Sequence, residues 1–199
     1  MIPFSLHTSR FSAVVFALVL GALPAASPAQ DTSTGDAPAA SAQPTQPAQP
    51  PQPYFKEDVG DWRIRCVGSP VEGQPDVCQL YQLLRDSNNN PVSEFTILPS
   101  PDGPEQGVLA TIVTPLETLL TPGLRLSIDD GPEQAVPFTW CNNVGCYARF
   151  NLSPPDVEAL KSGIEAKIAI TPLSAPNQQV QLTSSLRGFT LALASVTPE

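Results

Sequence analysis

The chain has 199 residues and a single histidine, His7, which lies in the N-terminal segment predicted below to be removed. The remaining sequence therefore has no Ser-His-Asp or Cys-His nucleophile, no histidine zinc ligand and no histidine general base. It also has no Gly-rich phosphate loop after a strand, which leaves nucleotide binding without support. No cofactor and no metal site are expected from the sequence.

Two enzyme classes remain after these exclusions. A Ser-Lys dyad would use Lys56, Lys161 or Lys167, but Lys161 and Ser162 are neighbours on a predicted helix and do not face each other. A carboxylate pair acting on a glycan needs a geometry that no motif here specifies. The segment Asp129–Glu133 has oxygen atoms for calcium, but it lacks the ligand alternation of a known loop, so a turn is favoured.

Long apolar runs are absent as well, since none reaches the about 20 residues that span a membrane. The run Phe11–Leu23 is shorter, follows Arg10 and precedes small residues, which is typical of a secretory signal. We predict a signal peptide over residues 1–29 with cleavage after Ala29; cleavage after Ala26 and an uncleaved anchor are the alternatives. The mature chain is then expected to lack a transmembrane segment and to reside in the periplasm, at the outer envelope or outside the cell.

Positive charge is scarce. The chain has 10 Lys and Arg against 19 Asp and Glu, and loss of residues 1–29 removes Arg10 only, so 9 face 19 and the net charge becomes −10. Such a chain repels phosphate backbones, which excludes nucleic acid as a partner. Residues 30–53 lack large apolar side chains and are rich in Pro, Ala and Gln, which predicts a disordered spacer. The spacer is interpreted as a free tail, a tether or a proline-rich ligand.

Residues 54–199 form the predicted domain. Short apolar segments alternate with turn residues at intervals of about 8–12 residues, which is typical of an antiparallel β-sandwich or a partly open barrel. One short α-helix is predicted near residues 154–162, with Ser153 as N-cap and Gly163 after its end. Gly188–Val196 fits either a strand or a short helix. The predicted strands are Asp61–Cys66, Cys78–Leu84, Ser93–Leu98, Val108–Val113, Leu124–Ile128, Val136–Cys141, Cys146–Leu152, Ile164–Thr171 and Val180–Leu186.

Four cysteines form an even set, which in an exported chain predicts two disulfides. Cys141 and Cys146 bracket Asn-Asn-Val-Gly at the base of a predicted hairpin, where facing Cα atoms lie about 4.5 Å apart. Cys66 and Cys78 close the loop between two predicted strands. We therefore predict the pairs Cys66–Cys78 and Cys141–Cys146 and interpret both as structural.

Two reactive alternatives for the cysteines are less favoured. Thiol oxidoreductases place a Cys-x-x-Cys motif at a helix N-terminus, whereas Cys141 and Cys146 have a different spacing in a hairpin. A zinc site made of all four cysteines does not suit the long interval between Cys66 and Cys78.

Aromatic residues are few, with two Trp, three Tyr and eight Phe. Trp140 lies beside Cys141, and Trp62 lies on the same predicted strand face as Cys66. Both are predicted to pack against the disulfides, and an exposed binding patch is the less favoured interpretation.

The ordered set of segments from Asp61 to Leu193 resembles the invasion associated locus B family of exported proteobacterial proteins. The resemblance implies a small β-rich envelope domain, linked in a pathogenic member to invasion of host red cells, and it carries over no catalytic residue. The segments that carry it are Asp61–Cys66, Cys78–Leu80, Leu120–Asp129, Pro137–Phe138 followed by Cys141 and Gly145–Ala148, Leu160–Gly163 and Ser185–Phe189.

The sequence thus predicts an exported, non-enzymatic cell-envelope interaction protein. Its partner would be an envelope or host-surface protein, bound through a sheet edge or a loop patch, and the family resemblance implies a contribution to host-cell attachment or invasion. Two alternatives stay open: a histidine-free periplasmic enzyme acting on an envelope polymer, and a small ligand-binding or chaperone-like sandwich.

Overall fold

The structure is a computed structural model that describes residues 51–100 and 106–197. The predicted signal peptide, its cleavage site after Ala29 and residues 30–50 of the predicted spacer lie outside the described residues. Within them, the chain forms eleven strands and two helices. These are β1 Pro53–Val59, β2 Trp62–Val67, β3 Val77–Arg85, β4 Pro91–Pro99, β5 Val108–Thr114, β6 Leu124–Ile128, β7 Gln134–Val136, β8 Trp140–Cys141, β9 Cys146–Leu152, α1 Pro154–Ser162, β10 Glu165–Ile170, β11 Val180–Ser185 and α2 Phe189–Val196.

The strands form two sheets. The larger sheet has seven strands in the order β1-β2-β3-β4-β5-β9-β8, and the smaller has four in the order β11-β10-β6-β7. All pairings among these strands are antiparallel. One apolar core lies between the sheets, so the structure confirms the predicted all-β sandwich.

Alternating side chains explain why the larger sheet has one buried face. Trp62, Ile64 and Cys66 on β2 are buried, whereas Arg63 and Arg65 between them are not. Because successive side chains of a strand point to opposite faces, the apolar positions meet the core and the arginines lie on the other side. The same alternation continues on β5, where the buried positions include Val108, Ala110 and Ile112.

The prediction of one continuous strand over Val136–Cys141 is wrong. The structure divides it into β7, which pairs with β6 in the smaller sheet, and β8, which pairs with β9 in the larger sheet. Pro137 directly follows β7 and has no N–H to donate, so the ladder stops there. The chain then crosses from one sheet to the other through Phe138 and Thr139.

The ambiguous segment Gly188–Val196 forms the helix α2. Phe189, Ala192 and Leu193 are buried, and this spacing places all three on one helical face. Gly188 precedes the helix with φ +87°, a left-handed conformation that suits glycine. Among the described residues, no helix is both long and apolar enough to cross a membrane.

Strand β1 was not among the predicted strands. Six of its seven residues are exposed, so it lacks the alternating burial that identifies a strand in a sequence. It forms through backbone pairing with β2, interrupted by an irregular register between Phe55 and Glu57. Such irregularity at an edge reduces pairing with other chains.

A side-chain amide joins the two sheets at one end of the sandwich. Gln82 on β3 is buried, and its Nε2 donates to the carbonyl oxygens of Asp61 and Ser185, both at 3.0 Å. Its Oε1 accepts from the backbone N–H of Ser185 at 2.9 Å. Gly60 and Gly188 lie against each other here, where a Cβ on Gly60 would come within 2.4 Å of the Arg187 carbonyl oxygen.

Candidate interaction surface

The structure bonds Cys66 to Cys78 and Cys141 to Cys146, so none of the four cysteines is free. Each pair joins facing residues of neighbouring antiparallel strands, with Cα atoms 4.0 Å and 4.1 Å apart. Neither pair lies at a helix N-terminus, the setting that lowers a thiol pKa for redox work. The first disulfide joins β2 to β3 within the larger sheet, and the second joins its edge strand β8 to β9.

The face of the larger sheet that points away from the core is called the outer face below. Strand register places five side chains in one row across it, called the central row: Arg63, Tyr81, Thr96, Thr111 and Arg149. Four inter-strand spacings separate the two ends, so the backbones at Arg63 and Arg149 lie about 19 Å apart. Arginine thus marks both ends of a row with an aromatic ring and two hydroxyls between them.

The first end of the central row is an arginine–aromatic cluster near β1. The Arg63 guanidinium lies 3.5 Å from the centre of the Phe55 ring, and the Arg65 guanidinium lies 4.6 Å from the centre of the Tyr81 ring. Phe55 meets Tyr81 edge to face at 5.3 Å. Burial, with the Glu94 carboxylate nearby, raises the pKa of Tyr81, so its phenol stays protonated at neutral pH.

Both arginines of this cluster have carboxylate partners. Arg63 Nε lies 3.1 Å from Asp58 Oδ1, and Arg65 Nη1 lies 3.4 Å from Glu94 Oε2. Their positive charge is therefore offset locally. Cation–π contacts and ion pairs together hold these side chains in place on the sheet.

The opposite end of the central row is organised by the hairpin of β8 and β9, called the disulfide hairpin below (residues 140–147). Trp140 stacks on Tyr147 with ring centres 4.8 Å apart and planes 9° apart. Arg149 lies on the same outer face, with its guanidinium 5.7 Å from the centre of the Trp140 ring. Among the described residues Arg149 has no ion-pair partner, unlike Arg63 and Arg65.

Local hydrogen bonds fix the tip of the disulfide hairpin. Asn142 Oδ1 accepts from the backbone N–H groups of Val144 at 2.8 Å and Gly145 at 3.3 Å. Gly145 packs on the end of β5, where a Cβ would come within 2.5 Å of the Thr114 carbonyl oxygen. The hairpin therefore presents Val144, which is 71% exposed, in a defined position.

An apolar groove of about 320 Å³ lies between this tip and the neighbouring strands. Leu83, Glu94 and Val113 line it and lie in one cross-strand row with Tyr147 and Trp140. Val92 and Val144 complete its apolar wall. The groove, the Trp140–Tyr147 stack and Arg149 thus form one continuous region of the outer face.

Tryptophan, tyrosine and arginine are the residue types enriched where protein interfaces concentrate their binding energy. Trp140 is 40% exposed, and the prediction that it packs on the disulfide missed its stacking on Tyr147. Trp62 is fully buried between Phe95 and Phe189. The alternation of buried and exposed residues in β2 and β9 is the signal that locates the outer-face arginines in the sequence.

The enzymatic alternatives involve side chains that already hold backbone turns. A cavity of about 270 Å³ beside α1 is lined by Asp129 and Asp156. Asp129 Oδ1 accepts from the backbone N–H groups of Glu165 and Ile164, which lower the pKa of this carboxyl. Asp156 Oδ2 accepts from the N–H and hydroxyl of Ser153 at the start of α1.

Four further polar candidates from the sequence analysis are likewise engaged. Lys161 Nζ lies 2.8 Å from Glu158 Oε1, and the Ser162 hydroxyl donates to the Glu158 carbonyl oxygen at 2.8 Å. Asp130 pairs with Lys167 at 3.1 Å. Within the described residues, no group of three potential metal-ligating side chains lies together.

Comparison with known proteins identifies the family to which the chain belongs. The model of the Invasion associated locus B (IalB) protein family matches residues 62–197. Two curated invasion protein B homologs of Brucella abortus, one from strain 2308 and one from biovar 1 strain 9-941, are each 37% identical over 91 residues. This match covers 46% of the present chain and spans about half the length of these relatives, 50% in each case.

A solved structure shares the fold. The crystal structure of invasion associated protein B from Bartonella henselae superposes with a TM-score of 0.59 and 26% sequence identity. The alignment covers 72% of the present chain and 94% of the Bartonella chain.

Proposed function

The chain belongs to the invasion associated locus B family, and from that premise we propose that it is an exported, non-enzymatic cell-envelope protein that binds a protein partner through its outer face. The observation that carries this proposal is the continuous region formed by the apolar groove, the Trp140–Tyr147 stack and Arg149. We propose the disulfide hairpin as the centre of the contact.

Rigidity of the region supports the proposal. A disulfide, a ring stack and hydrogen bonds from the loop backbone hold the hairpin before any partner arrives. A surface that is already ordered loses less conformational entropy on association, which leaves more of the contact energy for affinity. Two disulfides also suit an oxidising compartment outside the cytoplasm.

Location and biological role extend the proposal. We place the mature protein in the periplasm or at the outer envelope after removal of residues 1–29. The names of the relatives associate them with invasion, and we extend to this chain a contribution to host-cell attachment or invasion. The partner would be an envelope or host-surface protein.

The test is site-specific photo-crosslinking in intact cells. A photoreactive residue at Leu83 or Val144 is expected to yield a discrete adduct, since both line the groove. The matched control is Thr183, an exposed position on β11 of the smaller sheet. No adduct from the groove positions, or the same adduct from Thr183, would contradict binding through the outer face.

A further inference from the structure

We infer that the occupant of the outer-face region is an acidic polypeptide segment, whose carboxylate binds Arg149 and whose apolar side chain enters the groove beside it. This inference rests on the proposed function and specifies the chemistry of the partner. Its starting point is charge: among the described residues Arg149 has no carboxylate partner, whereas Arg63 and Arg65 are paired. Arg85, at the end of β3, also has no ion pair there, but its guanidinium donates to the Asn89 carbonyl oxygen at 2.9 Å.

The surroundings of Arg149 prepare it for a carboxylate. Its guanidinium lies over Trp140, which in turn stacks on Tyr147. A guanidinium that contacts a ring through its flat face still has its N–H groups free to donate along its edge. The spacing of these donors matches the two oxygens of a carboxylate. Because Arg149 has no ion-pair partner within residues 51–100 and 106–197, binding would not first have to break an ion pair among them.

The strand register places Arg149 close to the groove. Val113, which lines the groove, faces Tyr147, while Arg149 lies two residues further along β9 and faces Thr111. Two residues of a strand cover about 7 Å, the distance between side chains i and i+2 of an extended peptide. A segment with an acidic and an apolar residue two positions apart would therefore reach both features at once.

The contacts favour a polypeptide over an anionic glycan. A sugar ring stacks on an open aromatic face, and part of the aromatic surface here is already covered. Tyr147 stacks on Trp140, and the Arg63 guanidinium lies 3.5 Å from the centre of the Phe55 ring. The apolar part of the groove wall, formed by Leu83, Val92 and Val113, suits an aliphatic side chain. Glu94 also lines the groove, and its carboxylate is paired with Arg65. The predicted net charge of −10 repels a highly acidic polymer, so we expect one or two carboxylates among apolar residues.

The experiment selects the occupant from a phage-displayed library of random dodecapeptides against the mature chain. The expected consensus has Asp or Glu two positions from Leu, Ile or Val. Binding of an enriched peptide, followed by fluorescence anisotropy, is expected to weaken about tenfold in Arg149→Gln because a charge-assisted contact is lost. Arg149→Lys is expected to lose less, since it keeps the charge but not the two-pronged geometry.

Arg125→Gln is the matched control, because it removes the same charge from β6 in the smaller sheet. A consensus without acids, or equal losses in Arg149→Gln and Arg125→Gln, would overturn the inference. Binding of polygalacturonate that depends on Arg149, with no peptide enriched, would also overturn it in favour of a glycan. Crosslinking from the groove with unchanged affinity in Arg149→Gln would refute the acidic segment and leave the proposed function standing.

Discussion

Asp61, which precedes β2, is linked through its carboxylate to the end of β11 and the residues just after it. It forms an ion pair with Arg187, and Oδ2 accepts a hydrogen bond from the Ser185 hydroxyl at 2.6 Å. Its backbone N–H donates to the Arg187 carbonyl oxygen at 3.0 Å. The residue before β2 is thereby joined to the segment that follows β11, in the other sheet.

These contacts predict a pH-dependent contribution to stability. The hydrogen bonds from Arg187 and then Ser185 lower the pKa of Asp61 from its usual 3.8 to about 2. Because the pKa of Asp61 is lower in the folded than in the unfolded state, its ionised carboxylate stabilises the folded protein above about pH 4. This contribution is lost as the pH falls through about 2. Asp61→Asn is expected to lower the free energy of unfolding at pH 7 by about 1 kcal/mol, a modest value because the side chain is 34% exposed and screened by solvent.

Urea unfolding of Asp61→Asn and the parent chain at several pH values would measure this contribution. Their difference should shrink between about pH 4 and pH 2. Glu72→Gln, an exposed charge in the loop between β2 and β3, is the control for general charge removal. A difference that stays the same at pH 7 and pH 2 would show that the Asp61 contacts are not what stabilises the native state.

At the scale of elements, the two disulfides differ in the loops that they close. Cys66 and Cys78 are 12 residues apart, and Cys141 and Cys146 are 5 apart. The loop-entropy model gives about 3 kcal/mol for the longer loop and about 2 kcal/mol for the shorter. We therefore expect Cys66→Ser/Cys78→Ser to destabilise the protein more than Cys141→Ser/Cys146→Ser.

Denaturant unfolding of the two double variants would rank these losses. Thiol titration of the purified parent protein under denaturing conditions is expected to detect no free thiol. Reactive thiols in that titration would show that at least one of the two disulfides does not form. A larger loss from the shorter loop would mean that the disulfide hairpin contributes to stability through more than loop closure.

Helix α2 closes one end of the core. Phe189 is only 1% exposed and lies 5.6 Å from the Trp62 ring, centre to centre. Phe189→Ala is expected to cost about 3–5 kcal/mol, because it removes an aromatic side chain and leaves a cavity. Leu191→Ala in the same helix is the matched control, since Leu191 is 70% exposed and its loss should cost less than about 0.5 kcal/mol. Equal melting temperatures for the two variants would contradict this role of α2.

At the scale of the whole molecule, the two sheets present different outer surfaces. On the smaller sheet, Lys167 pairs with Asp130 and Glu165, and Arg125 lies 3.8 Å from Glu133. The outer face of the larger sheet combines arginine with aromatic rings and an apolar groove. The asymmetry directs the proposed contact to one side of the sandwich.

The predicted export signal is tested by expressing residues 1–199. Expression with an intact N-terminus in a Gram-negative host is expected to yield a periplasmic protein that begins at Gln30. Intact-mass measurement of the periplasmic fraction would determine this terminus, and a terminus at Ser27 would support the alternative site after Ala26. A full-length protein retained in the membrane fraction would instead support the uncleaved anchor.

Periodicity in the sequence predicted most strands of the sandwich. Trp62, Ile64 and Cys66 alternate with Arg63 and Arg65, and this pattern requires a strand with one buried face. Strand β1 has no such pattern because it lies exposed at an edge, and the break at Pro137 depends on which sheet each neighbouring segment joins. Helix α2 stayed ambiguous because its short apolar run fits either period.

The sequence by itself determined that His7 is the only histidine, that the net charge is acidic, and that the domain is a sandwich with helix α1, since these follow from composition and local sequence patterns. Only the tertiary structure decided that Arg63 and Arg149 end one row, that Trp140 stacks on Tyr147 and that Arg149 lies beside a groove. The physical reason is register: β5 pairs with β9 across an intervening stretch of the smaller sheet, and no local pattern encodes which residues of such distant strands face each other.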